Sequence, residues 1–172
     1  MKKILFTLAL MVFAVSSVQA EKATDSQFDK EIAAQMINAS IQRFPIEEDV
    51  SIEDAIDSMK LRANMLNFKM VADLPLSEQI KSMGKDANHM QILAFCDALI
   101  AKEMVEFNII FAGFLPCRIA AVEDADGKGW LVTTNMDMML HAVDLPEKLQ
   151  PMAKRVRDTI YSIIEAGQTG DL

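Results

Sequence analysis

The chain has 172 residues, with 25 acidic side chains against 17 basic ones and a net charge of −8 at pH 7. That length suits one domain with a full hydrophobic core. The acidic surplus repels phosphate backbones and anionic lipid surfaces, which argues against nucleic acid as a partner.

Met1-Lys2-Lys3, the apolar run Ile4 to Val15 and the ending Ser16-Ser17-Val18-Gln19-Ala20 are the basic, apolar and small-residue parts of a Sec signal peptide. Cleavage is expected after Ala20, giving a chain that starts at Glu21 and works in the periplasm or outside the cell. The alternative is an uncleaved anchor, for which the run is short. No cysteine follows the cleavage site, so a lipoprotein anchor is not expected, and no later stretch is long and apolar enough to insert stably in a membrane.

Residues 21–50 read as an N-terminal arm and a first strand, and 51–172 as the main domain. Glu21 to Ala34 is polar and unpatterned. Gln35 to Phe44 alternates, with Ile37, Ala39 and Ile41 on one side, which predicts a half-buried strand. Ser51, with Asp54 three residues later, has a capping-box arrangement and starts a helix whose stripe is Ile52, Ile56, Met59 and Ala63. Leu66, Phe68, Met70, Ala72 and Leu74 then repeat at period two and predict a strand. Pro75 opens a short helix that Gly84 closes.

Met90 to Cys96 is apolar on both faces, as in an interior strand. Ala98 to Phe107 reads as helix, and Phe107 to Phe114 is apolar without a decisive period. Leu115 to Val122 and Trp130 to Thr134 flank a turn containing Asp126-Gly127 and predict a hairpin. Asn135 caps a short helix carrying Met136, Met138, Met139 and His141. Asp144 and Pro146 are expected to start the last helix, with Leu149, Met152, Val156, Ile160 and Ile163 as its stripe and Gly167 as its end. Phe68, Met70, Ile92, Ile119, Val156 and Ile160 are the expected core. The order gives an α+β fold, an antiparallel sheet with helices packed on one face.

Chemistry rests on few residues. No nucleophile elbow, phosphate loop, dinucleotide fingerprint or Cys-x-x-Cys is present. Asp124 and Asp126 lack the closing glutamate of a calcium loop, and a polar turn is the better reading. The two cysteines, Cys96 and Cys117, each sit in an apolar strand-like run. They are a disulfide, a pair of buried inert thiols, or a ligand or reactive site. The arrangement favoured is one on non-adjacent strands, both reduced, with at least one facing the Met138–His141 helix. The thirteen methionines fit an adaptable core or soft-metal ligation. Met138 and His141 are three apart on one helix face. With Cys117 they form a candidate metal set, and with Cys96 and Cys117 His141 forms a candidate cofactor site, for copper as Cu(I) or for haem. The Asp137–His141 spacing is suited to orienting the imidazole.

The segments "ILAFCDALIAKEM", "LPCRIAAVEDADGKGWLVTTN", "MDMMLHAVDLPEKL" and "IIEAGQTGDL" resemble the DUF302 family of domains of unknown function, over about Ser51 to Gly167. The resemblance implies a small α+β domain of TBP-like arrangement that tends to form homodimers. It carries over no catalytic residues. Three functions stay open: a binding module for a soft metal or haem-like cofactor, a thiol-redox or Cys-His enzyme, and a structural or partner-binding homodimer with a disulfide.

Overall fold

A computed structural model describes residues 30–171. The expected leader, residues 1–20, and most of the arm lie outside the described residues. Six α-helices, one 3-10 helix and five strands are described: α1 (Lys30–Ser40), β1 (Ile41–Pro45), α2 (Ile52–Met65), β2 (Lys69–Pro75), α3 (Leu76–Ser82), β3 (Met90–Cys96), α4 (Ala98–Phe107), the 3-10 helix Ile109–Phe114, β4 (Cys117–Glu123), β5 (Gly129–Thr134), α5 (Met136–His141) and α6 (Gln150–Thr169). The strands form one antiparallel sheet in the order β1-β5-β4-β3-β2. Consecutive strands therefore pair along β2-β3-β4-β5, and β1 closes the far edge.

One face of the sheet carries the core. Leu93, Phe95, Ile119, Ala121 and Leu131 stand on it and pack against Ala55, Ile56, Met59 and Ala63 of α2 and Ile160, Ile163 and Ile164 of α6. The α2 start is as the sequence dictates: the Ser51 hydroxyl accepts from the Asp54 N–H at 3.0 Å and donates to the Asp54 carboxylate at 2.7 Å. The two helices approach closely at Gly167. A Cβ there would lie 2.7 Å from Met59 Cγ, 2.8 Å from Leu131 Cδ1 and 3.2 Å from the Ala55 carbonyl oxygen. Gly167 is thus a packing glycine inside α6, and the helix ends instead at Gly170, whose φ of 70° gives the left-handed cap.

Four further sequence expectations change. Gln35 to Phe44 is not one strand: Lys30–Ser40 is helical and only Ile41–Pro45 joins the sheet. The last helix starts at Gln150 rather than near Asp144, because Asp144 to Lys148 is irregular. Met70 is 42% exposed, since β2 is an edge strand and its register slips between Met70 and Ala72, a bulge that breaks the period-two pattern. The cysteine strands are neighbours, because β3 pairs with β4 directly. Of the expected core, Phe68, Ile119 and Ile160 are fully buried, and Ile92 and Val156 are half-buried.

Two substitutions check this packing. Ile160→Ala should cost about 2–5 kcal/mol in urea unfolding, the range for a truncated core aliphatic. Gly167→Ala should cost about 1–3 kcal/mol, because the Ala55 backbone cannot yield as a side chain can. A neutral Gly167→Ala variant would show that α2 and α6 are not in close contact.

Candidate functional site

Beyond the end of the α2–α6 layer a second apolar cluster forms from Ile100 and Met104 of α4, Phe111 of the 3-10 helix, and Leu149 and Ala153 at the start of α6. A cavity of ≈ 80 Å³ lies between this cluster and the main core. Phe68, Ile100, Phe111, Phe114, Leu115, Leu140, Leu145 and Val156 supply its apolar wall. Five lining residues carry sulfur: Cys96, Met104, Cys117, Met136 and Met139.

Local sequence places each of them. Cys117 is the first residue of β4 and stands opposite Phe95 in the register. Cys96 is the last residue of β3, where the chain leaves the sheet for α4. Both cysteines are free thiols. Asp97 caps α4, its Oδ1 accepting from the N–H groups of Leu99 and Ile100 at 3.1 and 3.2 Å. Its Oδ2 lies 3.6 Å from Arg155. Asn135 caps α5 by accepting from the Met138 N–H at 3.0 Å. The Asp137 carboxylate accepts from Arg157 Nη1 at 2.7 Å, tying α5 to α6, and the Tyr161 hydroxyl, which donates to Gln42 Oε1 at 2.6 Å, lies 3.2 Å from Asp137 Oδ2. The hydrogen bond with Arg157, foremost, holds the Asp137 carboxyl below the usual range.

Both thiols are held neutral. Burial pushes Cys117 up to about 11, with nearby Cys96 adding to the rise. Burial also raises Cys96, with Asp97 as the second cause. Thr133, another lining residue, is engaged elsewhere, its hydroxyl donating to the Arg118 carbonyl at 2.7 Å.

Of the predicted site residues, the structure brings Cys96 and Cys117 to one cavity and leaves Met138 and His141 outside it. Met138 is 39% exposed. His141 is exposed, and its Nδ1 lies 2.7 Å from the Asp137 carbonyl oxygen, so the backbone of Asp137 holds the ring rather than its carboxylate. Met136 and Met139 take the inward positions instead. They share a face at three-residue spacing, just as Met138 and His141 do. Met138, two residues beyond Met136, points roughly 200° away from it around the helix. Met104 belongs to the α4 stripe with Ile100, an i, i+4 pair readable from the sequence.

The remaining motifs are structural. Asp124 Oδ1 accepts from the N–H groups of Asp126 and Lys128 at 2.9 and 3.0 Å, and its Oδ2 accepts from Trp130 Nε1 at 2.7 Å. That is a hairpin turn, with Gly127 at a φ of 81°. His89 lies away from the sulfur cavity, in a polar groove with Glu53 3.6 Å from its Nδ1. Among the described residues no three His, Cys, Asp or Glu side chains form a metal-binding group. No helix among them is long and apolar enough to cross a membrane.

The family model for the domain of unknown function DUF302 matches residues 44–167. The chain belongs to the DUF302 family. Its fold agrees with the crystal structure of the uncharacterized conserved protein DUF302 from Bacillus stearothermophilus, with a TM-score of 0.59 at 16% identity, over 73% of this chain and 95% of that one. No curated protein matches. In this DUF302 chain β1 precedes most of the matched segment yet forms one edge of the same sheet.

The cavity gives the fold a pH signature. Below pH 9 the Cys117 thiol is protonated both folded and unfolded, so stability is unaffected. Between the unfolded value of 9.0 and the folded value of about 11, only the unfolded chain releases its proton. Stability therefore falls as pH rises through this window, by on the order of 2 kcal/mol. In urea unfolding at pH 8 to 11, Cys117→Ala should show a flatter decline than the parent chain. Equal slopes would mean the thiol is not desolvated.

Proposed function

We propose that this protein is an exported, small binding module that holds a soft metal ion in the sulfur-lined cavity. The observation that carries this reading is the convergence of two cysteines and three methionines on one apolar cavity. Thiolate and thioether sulfurs are the ligands that select Cu(I) over harder ions. Export is supported by the leader pattern at residues 1–20, which favours the periplasm.

Haem is the weaker cofactor. A cavity of ≈ 80 Å³ is far below the several hundred Å³ of pockets that take large ligands, and no histidine lines it. A Cys-His enzyme is disfavoured for two reasons: the thiols are held neutral, and neither histidine lines the cavity to act as a base. A homodimer is favoured by one observation. Strand alternation turns Ile92, Ala120, Val122 and Val132 away from α2 and α6, and these four apolar side chains are only half-buried.

Three measurements check these proposals. Anaerobic titration of the reduced chain with Cu(I), in competition with a chromogenic chelator, should show one saturable equivalent. The Cys96→Ser, Cys117→Ser double variant should lose it, and unchanged affinity would end the metal reading. Intact mass of protein from an envelope fraction should begin at Glu21, and a chain retaining Met1 would overturn the processing. Sedimentation equilibrium should give a dimer that Val132→Asp dissociates.

A further inference from the structure

Independently of what the cavity holds, we infer that one end of the domain docks on a phospholipid bilayer surface, with the 3-10 helix Ile109–Phe114 placing its outward side chains among the acyl chains. From Phe107 to Cys117 the chain carries no charged residue. Its one polar side chain there, Asn108, is turned back to the backbone, its Oδ1 accepting from the Ile110 N–H at 3.0 Å. Three residues per turn put Asn108, Phe111 and Phe114 on one ridge of the helix. That ridge faces inward: Phe111 is buried in the second cluster, and Phe114 lines the cavity. The other two ridges, Ile109 with Ala112 and Ile110 with Gly113, are left outside. Ile109 is 79% exposed and Ile110 59%, and Leu99 at the start of α4 is 77% exposed. Single exposed apolar residues are ordinary, but a charge-free run of them anchored by a buried phenylalanine marks a contact surface.

Charge and size select the occupant. The strand register sets Cys96, Cys117, Thr134 and Ile41 at the same end of the sheet, so α4, the 3-10 helix, α5 and α1 meet there. Acidic residues gather at the other end, where Glu47, Glu48, Glu53, Glu123 and Asp126 line the polar groove. Near the 3-10 helix the acids are ion-paired: Asp97 lies 3.6 Å from Arg155, Glu103 2.7 Å from Lys148, Glu106 2.6 Å from Lys102 and Asp137 2.7 Å from Arg157. Among the described residues, Arg62, Lys69, Arg118 and Lys154 form no ion pair, and neither do Asp144 and Glu147. This end is therefore close to neutral and slightly cationic, which suits phospholipid head groups, while the acidic surplus points away from them. A second copy is a poor occupant. The helix is about 12 Å long, and its outward ridges fall well short of the roughly 800 Å² per partner that a stable interface buries. A fluid bilayer yields around a convex ridge and needs no matching surface. No helix among the described residues is long and apolar enough to cross the bilayer, so the contact is with the interface alone.

Cosedimentation with vesicles of phosphatidylcholine and phosphatidylethanolamine tests this, using the chain that begins at Glu21 so that the leader cannot contribute. The parent chain should bind saturably. Ile109→Asp combined with Ile110→Asp should weaken binding by about tenfold or more. Met83→Asp should leave it within about twofold, because Met83, although 71% exposed, follows α3 at the acidic end. Unchanged thermal melting of each variant establishes that it folds. Fluorescence gives the orientation. The parent's one tryptophan, Trp130, stands at the far end of β5 and should not be quenched by lipids brominated on their acyl chains, whereas Ile110→Trp should be. A parent chain that stays in the supernatant, equal losses in the Met83 and Ile109–Ile110 variants, or an unquenched Ile110→Trp would overturn the inference. So would a dimer in sedimentation equilibrium that the Ile109–Ile110 variant dissociates without vesicle binding by the parent, which would give this surface to a second copy.

Discussion

The close approach of α6 to α2 at Gly167 is the constraint on which the rest of the structure depends. Both helices must lie on the same sheet face, because Leu93, Phe95, Ile119, Ala121 and Leu131 expose their apolar side chains there. Two helices side by side cover the sheet only if their axes can approach, and any side chain at position 167 would meet Met59, Leu131 and the Ala55 backbone. The layer so formed covers Phe95 near the end of β3 and meets Cys117 at the start of β4. That end is finished by α4, the 3-10 helix and the first turns of α6, as a separate cluster.

The candidate site is the seam between these two packing units. Well-packed cores leave few voids, because side chains within one cluster interdigitate. Where two clusters meet, neither set of side chains fills the junction, and ≈ 80 Å³ remains. Methionine and cysteine suit such a seam, being soft and adaptable in shape. The same residues bring donor atoms to it without bringing charge. The α5 helix is fixed over the seam by its Asn135 cap and by the Asp137–Arg157 hydrogen bond. The rotation of α5 decides which methionines face inward.

Much of the fold was legible because it is written in local signals. Ser51 and Asp54, Pro75 and Gly84, and the Asp126-Gly127 turn each mark a boundary through a specific hydrogen bond or dihedral requirement. What failed was pattern without such a marker. Ile37, Ala39 and Ile41 alternate, yet Lys30–Ser40 is a helix whose apolar residues are largely exposed. The alternation there reports no buried face. Met70 obeys period two up to a bulge, and a bulge is a choice of the partner strand rather than of the sequence around it. Gly167 read as a stop because glycine commonly ends helices, whereas the reason for it here is close contact with Leu131 and with Met59 and Ala55, the last two more than a hundred positions away.

The site was half legible for a related reason. Both cysteines were readable as points of interest, and the Asn135 cap located α5. On a helix of six residues, however, Met136 with Met139 and Met138 with His141 are equally good three-residue pairs. The sequence of α5 alone holds no information about which pair faces the core. In the structure Asp137 is held by Arg157 on α6, its two neighbours Met136 and Met138 lie in opposite senses around the helix, and Met136 is buried in the core with Met139 packed against it. Met136 then goes under the helix to the cavity and Met138 goes to solvent. The chemistry of the seam, sulfur without imidazole, therefore goes with a polar contact outside it, between residues twenty positions apart.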